Sequence, residues 1–159
     1  MKKAILIETA KGSVSVPDRL KLLNKTERHA VLATVFSGKP YTSIIAFSLT
    51  KDMKGAIFAT PKNTRKYRNL IKNNHVALLI DNRKNTDRDY AGAESVSILG
   101  TAKPVRRGKR WQELSHILIK KHPALKKFIQ AQNTAIVLVE AKRCVHVSQF
   151  QMVSEWRVR

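Results

Sequence analysis

The stretch Ala59-Thr60-Pro61-Lys62-Asn63-Thr64-Arg65-Lys66-Tyr67-Arg68-Asn69-Leu70 holds the residues best placed for chemistry. Thr64 stands where a helix N-cap belongs, and Tyr67, Leu70 and Ile71 follow at helical spacing. The first turn of a helix carries unpaired N–H groups and a partial positive charge, so acids favour it and bases do not. Here Arg65 and Lys66 occupy that turn, with Arg68 close behind and no acid between residues 62 and 72. A bound phosphate would reverse the sign of that cost by accepting the free N–H groups, the Thr64 hydroxyl and both cations. A solvated basic helix fits the same residues, and at this point both readings stand.

Other reactive types form no constellation. There is no GxGxxG and no GxxxxGK[ST]; Ser37-Gly38-Lys39 lacks the upstream glycine and falls in a hairpin turn. His29, His75, His116, His122 and His146 show neither an i,i+4 pair nor zinc-site spacing, so no metal site is expected. His116 and His122 flank a helix boundary and read as solvated surface. Cys144, the one cysteine, reads as a small buried strand residue; it excludes an intrachain disulfide. Ser43, Ser48 and Ser97 lack any triad context. No catalytic residue is assigned.

The elements that must position this stretch read as short strands with few helices. A helix is expected over Pro17 to Glu27, then a hairpin of His29–Phe36 and Tyr41–Leu49 across Ser37 to Pro40. Ala56–Thr60 is a third strand, and Val76–Ile80 follows the basic helix. Asn82 to Glu94 reads as an irregular insertion. Ser95–Val105 is a longer strand in which Gly100 marks a bulge or a close backbone approach. A helix over Arg107 to Lys121 and a short one after Pro123 come next, the latter with Leu125, Phe128 and Ile129 inward. Thr134–Glu140, Arg143–Phe150 and a piece through Val153 and Trp156 complete the strands. Six or seven antiparallel strands without strand–helix alternation predict a mostly β, α+β barrel rather than a doubly wound sheet.

Composition bounds the partners. The 159 residues carry 31 Lys+Arg against 11 Asp+Glu, a formal +20, with 43% hydrophobic residues. One domain over residues 1–159 is expected. No apolar run approaches a membrane span, and Ala4 to Ile7 is too short for a secretory signal, so a cytoplasmic location is expected. The charge points to an anionic partner without naming it. Between residues 103 and 127 nine bases face Glu113 alone. Nucleic acid fits that footprint, yet only 6% of the residues are aromatic and no strand clusters the rings that stack bases.

The order of segments resembles the pyridoxamine 5′-phosphate oxidase-like flavoproteins. His29-Ala30-Val31-Leu32-Ala33-Thr34-Val35, the turn at Gly38, and Pro40-Tyr41-Thr42-Ser43-Ile44-Ile45-Ala46-Phe47 look like that family's opening hairpin. Ile57-Phe58-Ala59-Thr60 with Thr64-Arg65-Lys66 and Asn69-Leu70 is similar to its phosphate-binding strand–turn–helix. Asn73 to Ile80, Val96 to Ala102, and Ser148-Gln149-Phe150 with Trp156 resemble its later strands and closing segment. The resemblance spans about residues 28–156. It implies a split β-barrel homodimer with FMN at the subunit interface and a small-molecule redox substrate. It implies that Arg65 and Lys66 neutralise the FMN phosphate, with Thr64 and Thr60 donating to it and Ala59 beside them. Ser43, Ile44 and Ile45 would run along the flavin ring, and Trp156 would close the site or plug the barrel end. Related variants use F420 or haem. The chain stops at Trp156-Arg157-Val158-Arg159, without the tail that grips pyridoxamine phosphate, which argues against that particular oxidation.

Overall fold

The computed structural model describes residues 5–159; the two lysines and the start of the apolar run near the amino terminus lie outside that range. In chain order the elements are β1 (Ala10–Lys11), α1 (Val16–Thr26), β2 (His29–Phe36), β3 (Lys39–Leu49), β4 (Gly55–Pro61) and α2 (Arg65–Lys72). They continue with β5 (His75–Asp81), α3 (Asp89–Gly92), β6 (Glu94–Pro104), α4 (Lys109–Lys121), a 3-10 turn (Pro123–Leu125), α5 (Lys126–Gln130), β7 (Thr134–Ser148) and β8 (Met152–Arg157).

Six strands close an antiparallel barrel in the order β7-β4-β3-β2-β5-β6, with β6 returning to β7. β8 adds to the far half of β7, and the two-residue β1 pairs with β8 in parallel. The split barrel of six or seven strands expected from the sequence is therefore present with six, and two further strands are added to it among the described residues. β2 and β3 meet across Ser37-Gly38, both with positive φ (50° and 70°), the two-residue turn whose twist suits a hairpin.

The largest departure is β7. The sequence suggests two strands, Thr134–Glu140 and Arg143–Phe150; the structure has one, ending at Ser148 with Phe150 in the following turn. The inward positions run Val137, Val139, Ala141 and then Cys144, His146, so the alternation slips by one residue at Lys142. A bulge absorbs that slip: Gly100 opposes Ala141 while Leu99 opposes Arg143. A Cβ on Gly100 would collide with the Glu140 carbonyl, so the bulge and the close approach, alternatives in the sequence, coincide here. The Asn82–Glu94 insertion is also less irregular than expected, because α3 lies within it.

Two apolar clusters hold the fold. The barrel interior contains Leu32, Phe47, Phe58, Leu78, Ile98 and Val137, closed by Leu20 and Leu23 of α1 and Leu70 of α2. The outer surface of β4 and β7, through Ile57 and Ile136, packs on Trp111, Leu114 and Leu118 of α4 and Ile129 of α5. β4 is thus covered on both faces, which is why its apolar residues do not alternate. No described helix is long and apolar enough to cross a membrane.

Candidate functional site

The turn from β4 into α2 is built by its own hydroxyls. Thr64 caps α2, accepting from Tyr67 N–H at 3.4 Å. Its Oγ1 lies 2.8 Å from Thr60 Oγ1 and 3.0 Å from the Pro61 carbonyl, while Thr60 Oγ1 lies 3.3 Å from that carbonyl. In either sense of the Thr60–Thr64 bond, both hydroxyl protons are committed inside this triangle. α2 is then fixed to the barrel by Leu70 and by the buried Asn69 side chain, which donates to Thr34 Oγ1 at 3.0 Å.

What remains at the helix end is positive. The N–H groups of Arg65 and Lys66 have no acceptor within the helix. Among the described residues no carboxylate lies within ion-pair distance of Lys62, Arg65 or Lys66. The Arg65 guanidinium lies over the Tyr41 ring, 5.3 Å from its centroid, and Arg68 donates to the Asn63 carbonyl at 2.7 Å.

A cavity of about 360 Å³ opens beside this helix end. Its floor comes from β3 and β4 through Ile44, Ile45, Ala46, Ala59 and Thr60. Lys66 and Pro61 stand at the helix end and His29 on the wall. Leu118 of α4, Leu125 of the 3-10 turn and Phe128 of α5 form the opposite side. Ile44 is 72% exposed, a large apolar side chain left mostly uncovered in one copy of the chain. Ser43 points toward the barrel from the same strand, and its buried Oγ has no hydrogen-bond partner.

Of the residues expected from the sequence, Ile44, Ile45, Ala59, Thr60 and Lys66 line one cavity; Thr64 and Arg65 are chain neighbours of that lining at the helix end, and Ser43 turns into the barrel instead. Trp156 does not line it. It stands on β8 opposite Cys144 and packs half-buried against the barrel interior. Phe128, expected inward, is 37% exposed and faces the cavity instead. His122, expected as solvated surface, is buried, its Nε2 2.8 Å from the Phe47 carbonyl. His122 is the C-cap of α4, where the backbone leaves the helix (φ −125°, ψ 67°), so helical spacing does not reveal which way its ring faces. Cys144 is buried, and burial pushes its thiol up to about 11, which leaves it a poor nucleophile. Among the described residues no group of three His, Cys, Asp or Glu side chains could hold a metal ion.

A sequence model described as pyridoxamine 5′-phosphate oxidase matches residues 16–147, most of the chain. The chain belongs to the pyridoxamine 5′-phosphate oxidase family. Solved structures share its fold at low identity. A haem-binding protein from Mycobacterium smegmatis is 15% identical with a TM-score of 0.80; the match covers 92% of this chain and 59% of that one. HutZ, the haem storage protein of Vibrio cholerae, is 18% identical with a TM-score of 0.64, covering 80% and 91%. General stress protein 26 of Bacillus anthracis is 17% identical with a TM-score of 0.67, covering 91% and 100%. No protein of curated function matches the sequence. The matched range contains every element that lines the cavity, from β2 to α5.

Proposed function

We propose that this chain binds FMN in the β3–β4–α2 cavity and acts as an oxidoreductase on a small molecule. The observation that carries the reading is the acid-free N-terminus of α2, with Arg65 and Lys66 in its first turn, opening onto an apolar cavity. Helix polarity makes that placement unfavourable without an anion and favourable with a phosphate. Lys66, Arg65 and their N–H groups would hold the FMN phosphate, while the Thr60–Thr64–Pro61 triangle keeps the turn in shape. Ile44, Ile45 and Ala59 would support the ring. Bound there, a flavin would supply hydride or electron transfer, the protein contributing orientation, charge and exclusion of water.

A second copy would complete the site. A volume of 360 Å³ is at the small end for a cofactor pocket, and Ile44 is left uncovered. Titration of apoprotein with FMN, followed by absorbance, tests the reading. Wild type is expected to take up FMN, and Arg65→Ala with Lys66→Ala to weaken it roughly 100-fold while far-UV dichroism is unchanged. A wild-type protein that takes up no FMN would sink it.

Haem is the second reading, favoured by one observation: His29 is an imidazole on the cavity wall. The haem-related neighbours support the same comparison. Under that reading added haemin gives a Soret band that His29→Ala shifts or abolishes; under the FMN reading His29→Ala leaves FMN uptake intact.

A further inference from the structure

The start of β7 is a meeting point for three basic segments. β4 and β6 both end beside it: Pro61 is in register with Thr134, and Pro104 with Val137. The short loop between α5 and β7 is held from both sides. Lys62 N–H donates to the Asn133 carbonyl at 2.9 Å, and the Arg107 guanidinium donates to the Gln130 and Ala131 carbonyls at 3.2 and 2.9 Å. Arg107 also lies over the Trp111 ring, 4.0 Å from its centroid. Lys62 from the β4–α2 turn and Arg107 from the β6–α4 turn therefore flank one loop. Lys126 and Lys127 precede that loop on the five-residue α5, and Arg106 and Lys109 adjoin Arg107 in the chain.

All six of these cations are exposed, and none lines the cavity. Among the described residues none has a carboxylate within ion-pair distance. Glu113, the one acid between residues 103 and 127, pairs with Arg110 at 3.4 Å. Cations held side by side repel, and an array of phosphates relieves that repulsion while releasing its own counter-ions. The apolar residues narrow the partner further. No large apolar side chain between residues 103 and 127 is exposed, and Trp111 is 9% exposed beneath Arg107. Phe128, the exposed ring that follows Lys127, faces the cavity instead. A membrane-docking surface pairs cations with apolar side chains that enter the interface, and a single-strand site offers rings on which bases stack. Here there are cations alone, which suits the backbone of a duplex.

We propose that Lys62, Arg106, Arg107, Lys109, Lys126 and Lys127 form a sequence-independent binding surface for the phosphate backbone of double-stranded nucleic acid. The surface needs no cofactor and goes beyond the cofactor reading above.

Fluorescence anisotropy of the full chain with a short labelled duplex, titrated at several salt concentrations, tests this. Duplex DNA and duplex RNA are compared, and the tighter one identifies the helix form that the surface fits. Affinity is expected to fall with salt at a log–log slope of about −3 or steeper, as for contacts with three or more phosphates. Arg106→Ala/Lys109→Ala/Lys127→Ala removes three exposed side chains that make no hydrogen bond or ion pair in the fold. It is expected to weaken binding at least roughly tenfold and to flatten the slope by about 2. Lys21→Ala/Lys25→Ala/Lys84→Ala removes the same charge from α1 and the loop before α3, and is expected to weaken binding less than about threefold. Equal losses in the two variants would assign the binding to net charge and overturn the surface. Tighter binding to a single strand of the same length would also overturn it. So would no duplex binding at about 0.05 M salt, whether or not the protein sediments with phosphatidylserine vesicles. Saturating FMN is expected to leave duplex affinity unchanged. A protein that binds duplex but takes up no FMN would overturn the cofactor reading alone, and one that takes up FMN but binds no duplex would overturn this surface alone.

Discussion

Glu94 binds three elements through one side chain. It is 8% exposed and receives two hydrogen bonds from Arg19 of α1, one of them at 2.8 Å from Nε. His146 Nε2 of β7 lies 2.7 Å from its Oε2. Burial alone would raise this carboxyl; hydrogen bonds from Arg19 and His146 outweigh it and hold the group below the ordinary glutamate value. A depressed carboxylate stabilises the fold above its unfolded-state pKa, near 4.5, and that contribution is lost as pH falls through the lower folded value. Glu94→Gln keeps the shape and removes the charge, leaving Arg19 without its counter-ion. It is expected to cost about 2 kcal/mol at neutral pH, less than a fully buried pair because Arg19 is 36% exposed. The same variant should lose less stability than wild type as pH falls below the unfolded-state value near 4.5, where the wild-type contribution is progressively lost. Parallel melting curves for the two proteins would discredit this account of the cluster.

At the scale of elements, the β6–β7 bulge decides how the barrel is assembled. Gly100 is the position where the two backbones come too close for any side chain. Gly100→Ala is expected to destabilise the fold by about 3 kcal/mol, because the obstacle is the Glu140 carbonyl rather than a side chain that could swing away. Urea denaturation measures this; a cost below about 1 kcal/mol would mean that β7 bends without the bulge. This region also marks the boundary of what the sequence makes legible. Gly100 and the Thr64 cap are readable because a single residue type answers a local backbone requirement. The hairpin at Ser37-Gly38 is readable for the same reason. The continuity of β7 is not, because a one-residue slip in alternation looks the same as a strand break. The cavity is half readable. Ile44, Ile45, Ala59, Thr60 and Lys66 lie on two adjacent segments, whereas Leu118, Leu125 and Phe128 arrive from about sixty residues further on. Only the packing of α4 and α5 on β4 and β7 brings them there, and Phe128 at helical spacing looks like any other core residue.

At the scale of the molecule, the sheet face outside the barrel carries the remaining question. Val31 is in register with Ile44 on one side and Leu79 on the other, and Ala77 stands between Ala33 and Leu99. All six are half-buried or exposed in one chain. A patch this apolar on a chain of net charge +20 is the surface where a second copy is proposed to pack, with Ile44 carrying it to the cavity mouth. Two copies double the charge, so the association is apolar contact working against long-range repulsion. Salt screens the repulsion and leaves the contact, which gives the dimer an unusual sign of salt dependence: it should tighten as ionic strength rises from about 0.05 M to 0.5 M. Ala77→Arg places a cation at the centre of the face in both copies while pointing away from the barrel interior. Sedimentation should show a monomer with unchanged dichroism, and FMN uptake should fall with the dimer if each cavity needs the other copy to cover Ile44. An Ala77→Arg protein that is monomeric yet binds FMN as wild type does would show that one chain completes the site alone. A wild type that stays monomeric at high salt and high concentration would remove the proposed interface itself.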